Sequence, residues 1–260
     1  MDLFIIKLLI TTAVVMGISA VAERVSPRVA GVLAGYPLGS CIVLFFFGFE
    51  NGGKFAADSA VYMMAGLVAE LIFLYGYYKI STLVNRFTII LSSLAALIGF
   101  FATIFILELI TFNPYTAILF YLCGLGFFTY IFRTIPDHAI KERVKLSIPV
   151  MLLRAGLAAT MIILITWSAH FVGAPWAGLF AAFPVTLFPL ILIIHSTYGK
   201  EPVHTFIKHL PRGLWSLLIY LTGVIFIYPA LGVYWGTLVS LGLATIYLVL
   251  FNFRKNKKAA

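Results

Sequence analysis

Glu70 is the residue of this sequence best placed to carry a proton. It lies in the middle of the apolar run 57–78, beside the small residues Gly66 and Ala69, which allow a second helix to approach closely. A charged carboxylate at the centre of a bilayer costs on the order of 3 kcal/mol on insertion scales, so such residues face the protein interior and are usually functional. We therefore take Glu70 as a candidate proton-coupling group. The alternative is a protonated Glu70 that hydrogen-bonds a neighbouring helix for structure alone.

Two basic residues, Lys7 and Arg154, stand 147 positions apart, each just inside an apolar run. Either could bind an anionic substrate from its own side of the membrane. The alternative is that these long side chains extend to the lipid head groups and leave only their aliphatic part in the membrane. Three acidic residues near the ends of their runs are expected to be solvated: Glu50, Asp58 and Glu108.

Pro37 and Pro184 are separated by the same 147 positions, and similar segments precede them. AGVLAGYP ends at Pro37 and AGLFAAFP ends at Pro184. A proline inside a helix removes a backbone hydrogen bond and clashes with the preceding turn. In a membrane, backbone groups freed in this way are tolerated only where they are buried in protein or line a cavity. Paired interrupted segments in two halves of a chain are the best sequence indication of a transport site.

We therefore predict two broken helices whose interruptions form a substrate site. The candidate substrate-binding residues are those of the two interruptions and the two basic residues: Gly35, Tyr36, Pro37, Ser40, Phe183, Pro184, Thr186, Lys7 and Arg154. The N-terminal ends of half-helices favour an anion, whereas the neighbouring aromatic residues suit a lipid tail equally well. The alternative is a pair of simple kinks that improve packing, since proline and glycine are common in membrane helices.

The elements that must hold these residues are membrane-spanning helices. Hydrophobic residues make up 62% of the 260 and charged residues only 10%, which is more apolar surface than one soluble core could bury. With about 20 apolar residues per crossing, we predict an all-α integral membrane protein with about nine transmembrane helices. They are expected near 4–22, 29–49, 57–78, 88–109, 115–133, 150–170, 176–197, 211–229 and 234–251.

The offset of 147 extends beyond the prolines, since Gly52 matches Gly199 and Gly66 matches Gly213. We therefore predict two four-helix repeats joined by one linker helix. Because a single helix separates the copies, the second is expected to lie inverted in the membrane. The predicted units are repeat A at 1–110, the linker helix with a basic cytoplasmic loop at 111–147, repeat B at 148–252 and a basic cytoplasmic tail at 253–260.

The basic residues indicate the orientation of the chain. When the basic residues are counted over alternate loops, nearly all of them fall on the side of the membrane that also holds the C-terminal tail. The other side of the membrane holds Lys7 and Lys54. The positive-inside rule then places the N-terminus outside and the C-terminus in the cytoplasm. This topology accounts for the net charge of +9, so we predict membrane lipid as a partner and no nucleic acid.

The second copy contains several short motifs. They are Ala177-Gly178-Leu179, Phe183-Pro184, His195, Gly199-Lys200-Glu201 and Leu214-Trp215-Ser216. Over roughly residues 150–250 these motifs resemble the GlpM family of small bacterial inner-membrane proteins, whose members are about one repeat long. The first copy resembles the family more weakly. The resemblance implies a multi-pass protein of the bacterial inner membrane with an envelope-associated role and no catalytic residues, and a history of duplication and fusion.

The sequence contains no phosphate-binding loop, dinucleotide motif or nucleophile elbow, and His204 and His209 stand at a spacing that fits no known metal signature. We therefore predict no enzymatic activity, no cofactor and no metal. His195 ends the seventh predicted helix, and the basic residues after it are interpreted as a cytoplasmic loop with affinity for phosphate or lipid head groups.

Two functions remain. The first is a small secondary transporter or flippase that moves an anionic or amphipathic solute by alternating access, with Glu70 as the candidate for proton coupling. The alternative is a membrane scaffold or accessory subunit of a cell-envelope polymer pathway, without transport. A homodimer is compatible with either function.

Overall fold

The chain folds into a bundle of helices. In this computed structural model residues 2–23, 32–137 and 148–256 are described, and every regular element within those ranges is helical. Six of the helices found there are long and apolar enough to cross a membrane, which confirms the prediction of an all-helical membrane protein. The helices are α1 Asp2–Glu23, α2 Leu38–Asn51, α3 Gly53–Leu83, α4 Thr88–Glu108, α5 Pro114–Phe132, α6 Ile148–Ala181, α7 Leu187–Tyr198 and α8 Lys200–Asn256.

Two of these helices are interrupted at a glycine. Helix α6 divides at Gly173 and α8 at Gly232, where φ is 73° and 74°. Helix α8 is 57 residues long, whereas about 20 residues suffice for one crossing. Both α6 and α8 are therefore two consecutive helical pieces rather than one.

Helix α3 lies at the centre of the bundle. Its most apolar window is 83% buried, and the helix packs against α2, α4, α5, α6 and α8. Ala60, Ala65 and Ala69 are fully buried on it. Small side chains of this kind allow neighbouring helix backbones to approach closely, so α3 can contact all of these helices at once.

The start of α8 differs from the prediction. A helix was expected from 211 after a basic loop, but α8 begins at Lys200. Val203, Phe206, Ile207 and Leu210 are buried at helical spacing. The charged residues between these positions hide the period in the sequence, and the interpretation as a basic loop is wrong.

Candidate functional site

The first interruption lies at Pro37. A helical turn at 32–34 ends there and α2 begins at Leu38. Three backbone hydrogen bonds connect the two pieces: the amide of Tyr36 donates to the carbonyl of Leu33 at 3.0 Å, that of Leu38 to Tyr36 at 2.8 Å, and that of Cys41 to Pro37 at 2.7 Å. Pro37 therefore stands at the N-terminal end of a half-helix, where its missing amide costs no helical hydrogen bond.

The second interruption repeats the first at an offset of 147 residues. Here the amide of Phe183 donates to Phe180 at 3.0 Å, that of Val185 to Phe183 at 2.7 Å, and that of Phe188 to Pro184 at 2.8 Å. Each donor and each acceptor is the counterpart of one at the first interruption, and each distance lies within 0.1 Å of its counterpart. The two interruptions thus share one pattern of backbone hydrogen bonds.

The C-terminal ends of α2 and α7 also have similar backbone geometry. Gly52 and Gly199 have φ of 92° and 85°, a region that favours glycine because it has no Cβ. The amide of Gly52 donates to Gly48 and the amide of Gly199 to His195, both at 3.0 Å. The agreement therefore extends from the interruption to the end of each half-helix.

Each interruption packs against a long helix from the other half of the chain. A Cβ added at Gly35 would overlap with the backbone of Gly213 on α8, and a Cβ at Gly66 on α3 would overlap with Ala182 at the second interruption. Gly35 and Ala182 are 147 positions apart, as are Gly66 and Gly213. The two close contacts are therefore counterparts of one another, and they fix the interruptions at the middle of the bundle.

The two interruptions enclose a central cavity of about 40 Å³, enough for a few water molecules or a small polar group. Gly39 and Thr186 meet beside it: a methyl group added at Gly39 would lie 3.4 Å from Cγ2 of Thr186. Six pairs of lining residues are separated by 147 positions: Ala34 and Ala181, Tyr36 and Phe183, Gly39 and Thr186, Ser40 and Leu187, Leu67 and Leu214, Glu70 and Leu217. The two halves therefore line the cavity with equivalent positions.

Glu70 is the ionisable acid of this lining and is 5% exposed. Among the described residues, no group donates a hydrogen bond to its carboxylate and no basic side chain pairs with it. Tyr121 on α5 interacts with it electrostatically, but the Tyr121 hydroxyl donates its hydrogen bond to the carbonyl of Leu214 at 3.2 Å. Burying a carboxylate without a partner is costly, so Glu70 is a group that a proton or a cation would stabilise.

Lys7 lies apart from this cavity and is 6% exposed. Its ammonium group pairs with Glu50, donates to the hydroxyl of Thr166 at 2.8 Å and stands 5.3 Å from the ring centre of Phe46. Glu50 also contacts Nε2 of His170 at 3.0 Å. The extension of Lys7 to the head groups and the solvation of Glu50 are both wrong, because both side chains are largely buried and form an ion pair with each other. The sequence did not indicate that these two helices bring them together.

The structure thus brings part of the predicted site together. Tyr36, Ser40, Glu70, Phe183, Pro184 and Thr186 line the central cavity, while Gly35 and Pro37 hold the backbone beside it. Lys7 stands elsewhere, and the side chain of Arg154 lies outside the described residues.

A wider opening lies at the beginning of α3. This vestibule, of about 820 Å³, includes the exposed side chains of Lys54 and Asp58 as well as Asn113. Along α3 it ends at Tyr62, and the lining of the central cavity begins at the next residue, Met63. The vestibule therefore approaches the central cavity from one end of the bundle.

The opposite end of α3 is closed by a set of buried polar contacts, which we call the histidine cluster. The Tyr77 hydroxyl and Nδ1 of His195 are 2.7 Å apart, as are the Ser81 hydroxyl and Nε2 of His204. The ammonium group of Lys200 donates to the carbonyl of Ser81 at 3.1 Å. The cluster was not predicted, because Lys200 and His204 were assigned to a basic loop rather than to a helix packed against α3.

Comparison of the chain with protein-family models, with curated proteins and with solved structures finds no match. The resemblance to the GlpM family therefore stays a prediction.

Proposed function

We propose that this chain is a small secondary transporter of the bacterial inner membrane, which moves an amphipathic or anionic solute by alternating access around the central cavity. Glu70 carries the coupled proton. The protein crosses the membrane nine times, with its N-terminus outside, as two inverted four-helix repeats joined by α5.

The helix boundaries support this repeat. Shifting α1 and α3 by 147 positions gives 149–170 and 200–230, close to the first piece of α6, which ends before Gly173, and the first piece of α8, which ends before Gly232. The two interrupted segments and the glycines that end them agree in the same register. We further propose that the repeat arose by duplication of a GlpM-like ancestor.

The observation that carries the transport proposal is the position of Glu70. An unpartnered, buried carboxylate lies in a cavity lined by equivalent residues of both halves. In transporters built from inverted repeats, substrate and coupling ion bind near the bilayer midplane at the interface of the repeats, beside discontinuous helices. A scaffold would have no use for an unpartnered acid at this position, since replacing it with an apolar residue would remove the cost of burying it.

The two ends of α3 suggest how access alternates. The vestibule opens the Lys54 end, which the basic-residue distribution assigns to the outside, and the histidine cluster packs the other end closed. Rocking of the two halves about the cavity would break the histidine cluster and close the vestibule. This arrangement corresponds to an outward-facing state.

Reconstitution into liposomes tests the proposal. With a pH-sensitive dye inside, addition of a transported solute from a panel of amines, organic acids and lipid phosphates should move protons in the native protein. Glu70→Gln should abolish this flux, because an amide cannot release a proton. Glu108→Gln, a matched change at the end of α4, should retain it.

A native protein that moves no protons with any member of the panel, and whose Glu70→Gln variant folds and assembles normally, would favour the scaffold. Flux that is independent of pH and insensitive to Glu70→Gln would indicate a passive channel.

A further inference from the structure

We infer that the transported solute is an amphipathic amine, whose ammonium head binds Glu70 in the central cavity and whose hydrocarbon tail lies in an apolar groove beyond Phe183. The inference rests on the transport function proposed above and names its substrate class.

The chemistry of the cavity selects the head group. Its polar side chains in the described lining are the Glu70 carboxylate and the hydroxyls of Tyr36, Ser40 and Thr186, all of which accept hydrogen bonds. An ammonium group brings three N–H donors and a positive charge. It would therefore satisfy the carboxylate of Glu70 through a charge-assisted hydrogen bond, and the Ser40 hydroxyl beside it can accept a second one.

An anion would meet the opposite conditions in this cavity. The described lining offers it no basic side chain, and it could lie beside Glu70 only while that carboxyl group stays protonated, because two negative charges at such distances repel strongly in a medium of low dielectric constant. Lys7, the basic residue that the sequence offered, is already paired with Glu50. The volume of about 40 Å³ further restricts the head to a small group such as a primary ammonium.

The tail has a site next to the head. A groove of about 470 Å³ lies between α4 and α6 and is lined almost wholly by apolar side chains, among them Phe101, Leu164 and Trp167, which are 40%, 52% and 61% exposed. In the membrane this face meets lipid, so the groove suits a hydrocarbon chain rather than a polar solute.

Phe183 belongs to the lining of both the groove and the central cavity. Its ring centre stands 5.2 Å from that of Phe100 and 6.3 Å from that of Phe188. Since Phe183 is half-buried and directly precedes Pro184 at the interruption, it forms the partition between head and tail sites. An amphipathic chain that enters from the lipid must pass this ring.

Binding of the amine at Glu70 would displace a proton. The protonated carboxyl group gives its proton to water as the ammonium group pairs with the carboxylate, so one positive charge enters and one leaves. Two titratable groups face Glu70: Tyr121 from α5 and Tyr36 beside the first interruption. The other neighbouring elements bring no ionisable side chain to the lining: α8 contributes Leu214 and Leu217, and the second interruption contributes the residues from Ala181 to Leu187. Glu70 is therefore the group that exchanges the proton for the amine.

Binding of n-decylamine to the protein in lipid nanodiscs tests the inference, with decanol and decanoate as probes of the same tail length and empty nanodiscs as the blank. Decylamine should bind the native protein and Glu108→Gln, and its affinity should rise about tenfold per pH unit while one proton is displaced. Glu70→Gln should weaken it by a hundredfold or more and remove the pH dependence. Equal binding of decanoate, or an unchanged affinity in Glu70→Gln, would overturn the assignment.

A second variant tests the tail site without touching the carboxylate. Leu164→Trp, at a residue that lines the groove but not the central cavity, narrows the groove and should weaken decylamine at least tenfold while leaving methylamine, which has no tail, unchanged. Equal losses for both amines, or no loss for either, would place the tail elsewhere. If Glu70→Gln fails to fold, this variant and the pH dependence of binding to the native protein still show whether the amine binds at the cavity and the groove.

Failure of the substrate assignment and failure of transport give different results. Labelling of a Ser40→Cys variant from both faces of the membrane requires no substrate. Labelling from both faces without decylamine binding would support transport and exclude an amphipathic amine as the substrate. Labelling from neither face would contradict transport itself.

Discussion

The backbone of Gly35, at the first interruption, lies directly against the backbone of Gly213 on α8. Their counterparts at an offset of 147, Ala182 and Gly66, also lie against each other, with the methyl group of Ala182 in the space beside Gly66. Each half of the chain therefore inserts its interruption into a gap that a glycine leaves on the long helix of the other half. The position of the cavity depends on these two contacts, because a larger side chain at either glycine would push the halves apart.

Gly213→Ala is expected to lower the melting temperature of the detergent-purified protein, because its new methyl group would overlap with the carbonyl of Val32. Overpacking of this kind costs about 1–3 kcal/mol. The control is Gly126→Ala on α5, where no atom lies within 4 Å of the new methyl group, and alanine also has the higher helix propensity. Equal melting temperatures for the two variants would contradict the close contact.

Lys54 and Glu201 test the proposed inversion of the repeats, because they stand 147 positions apart and both are exposed. In a background without Cys41 and Cys123, Lys54→Cys should react with a membrane-impermeant thiol reagent only from outside, and Glu201→Cys only from the cytoplasm. The measurement compares intact cells with inverted vesicles. Labelling of both from the same face would mean that the repeats are parallel.

Lys7→Met is expected to destabilise the protein more than a surface change would, because it removes the buried cation paired with Glu50 and leaves that carboxylate in contact only with the exposed side chain of His170. Removing one partner of a buried ion pair typically costs about 3–5 kcal/mol. The double variant Lys7→Met with Glu50→Gln should recover much of the lost melting temperature, since no unpaired charge remains. Additive losses in the double variant would show that the pair does not act as a unit.

The interruptions and Glu70 could be recognised in the sequence because each breaks a local rule. Prolines inside apolar runs and an acid at the middle of one have few physical explanations, and the offset of 147 linked Pro37 to Pro184. The fold class could be predicted from composition, because so high an apolar fraction leaves few alternatives to a membrane protein. What the sequence could not provide was the meeting of these segments, because a contact such as that of Gly39 with Thr186 depends on how the two halves pack.

The errors came from charged residues that have partners on other helices. Considered alone, Lys7 and Glu50 each resemble a charge at the end of a helix, and only their contact accounts for the burial of their side chains. The start of α8 was assigned to a loop because Lys200 and His204 lie among its buried apolar positions, where they bind Ser81 of α3. Such pairings are set by tertiary structure and leave no period in the sequence.

Access to the central cavity from the two faces of the membrane tests the account most directly. Ser40 lines the cavity, and a Ser40→Cys variant in the background without Cys41 and Cys123 can be exposed to an impermeant thiol reagent in intact cells and in inverted vesicles. Alternating access predicts reaction from both faces, with the rate from one face falling when the protein is held open to the other. Reaction from neither face, or from one face under every condition, would contradict it.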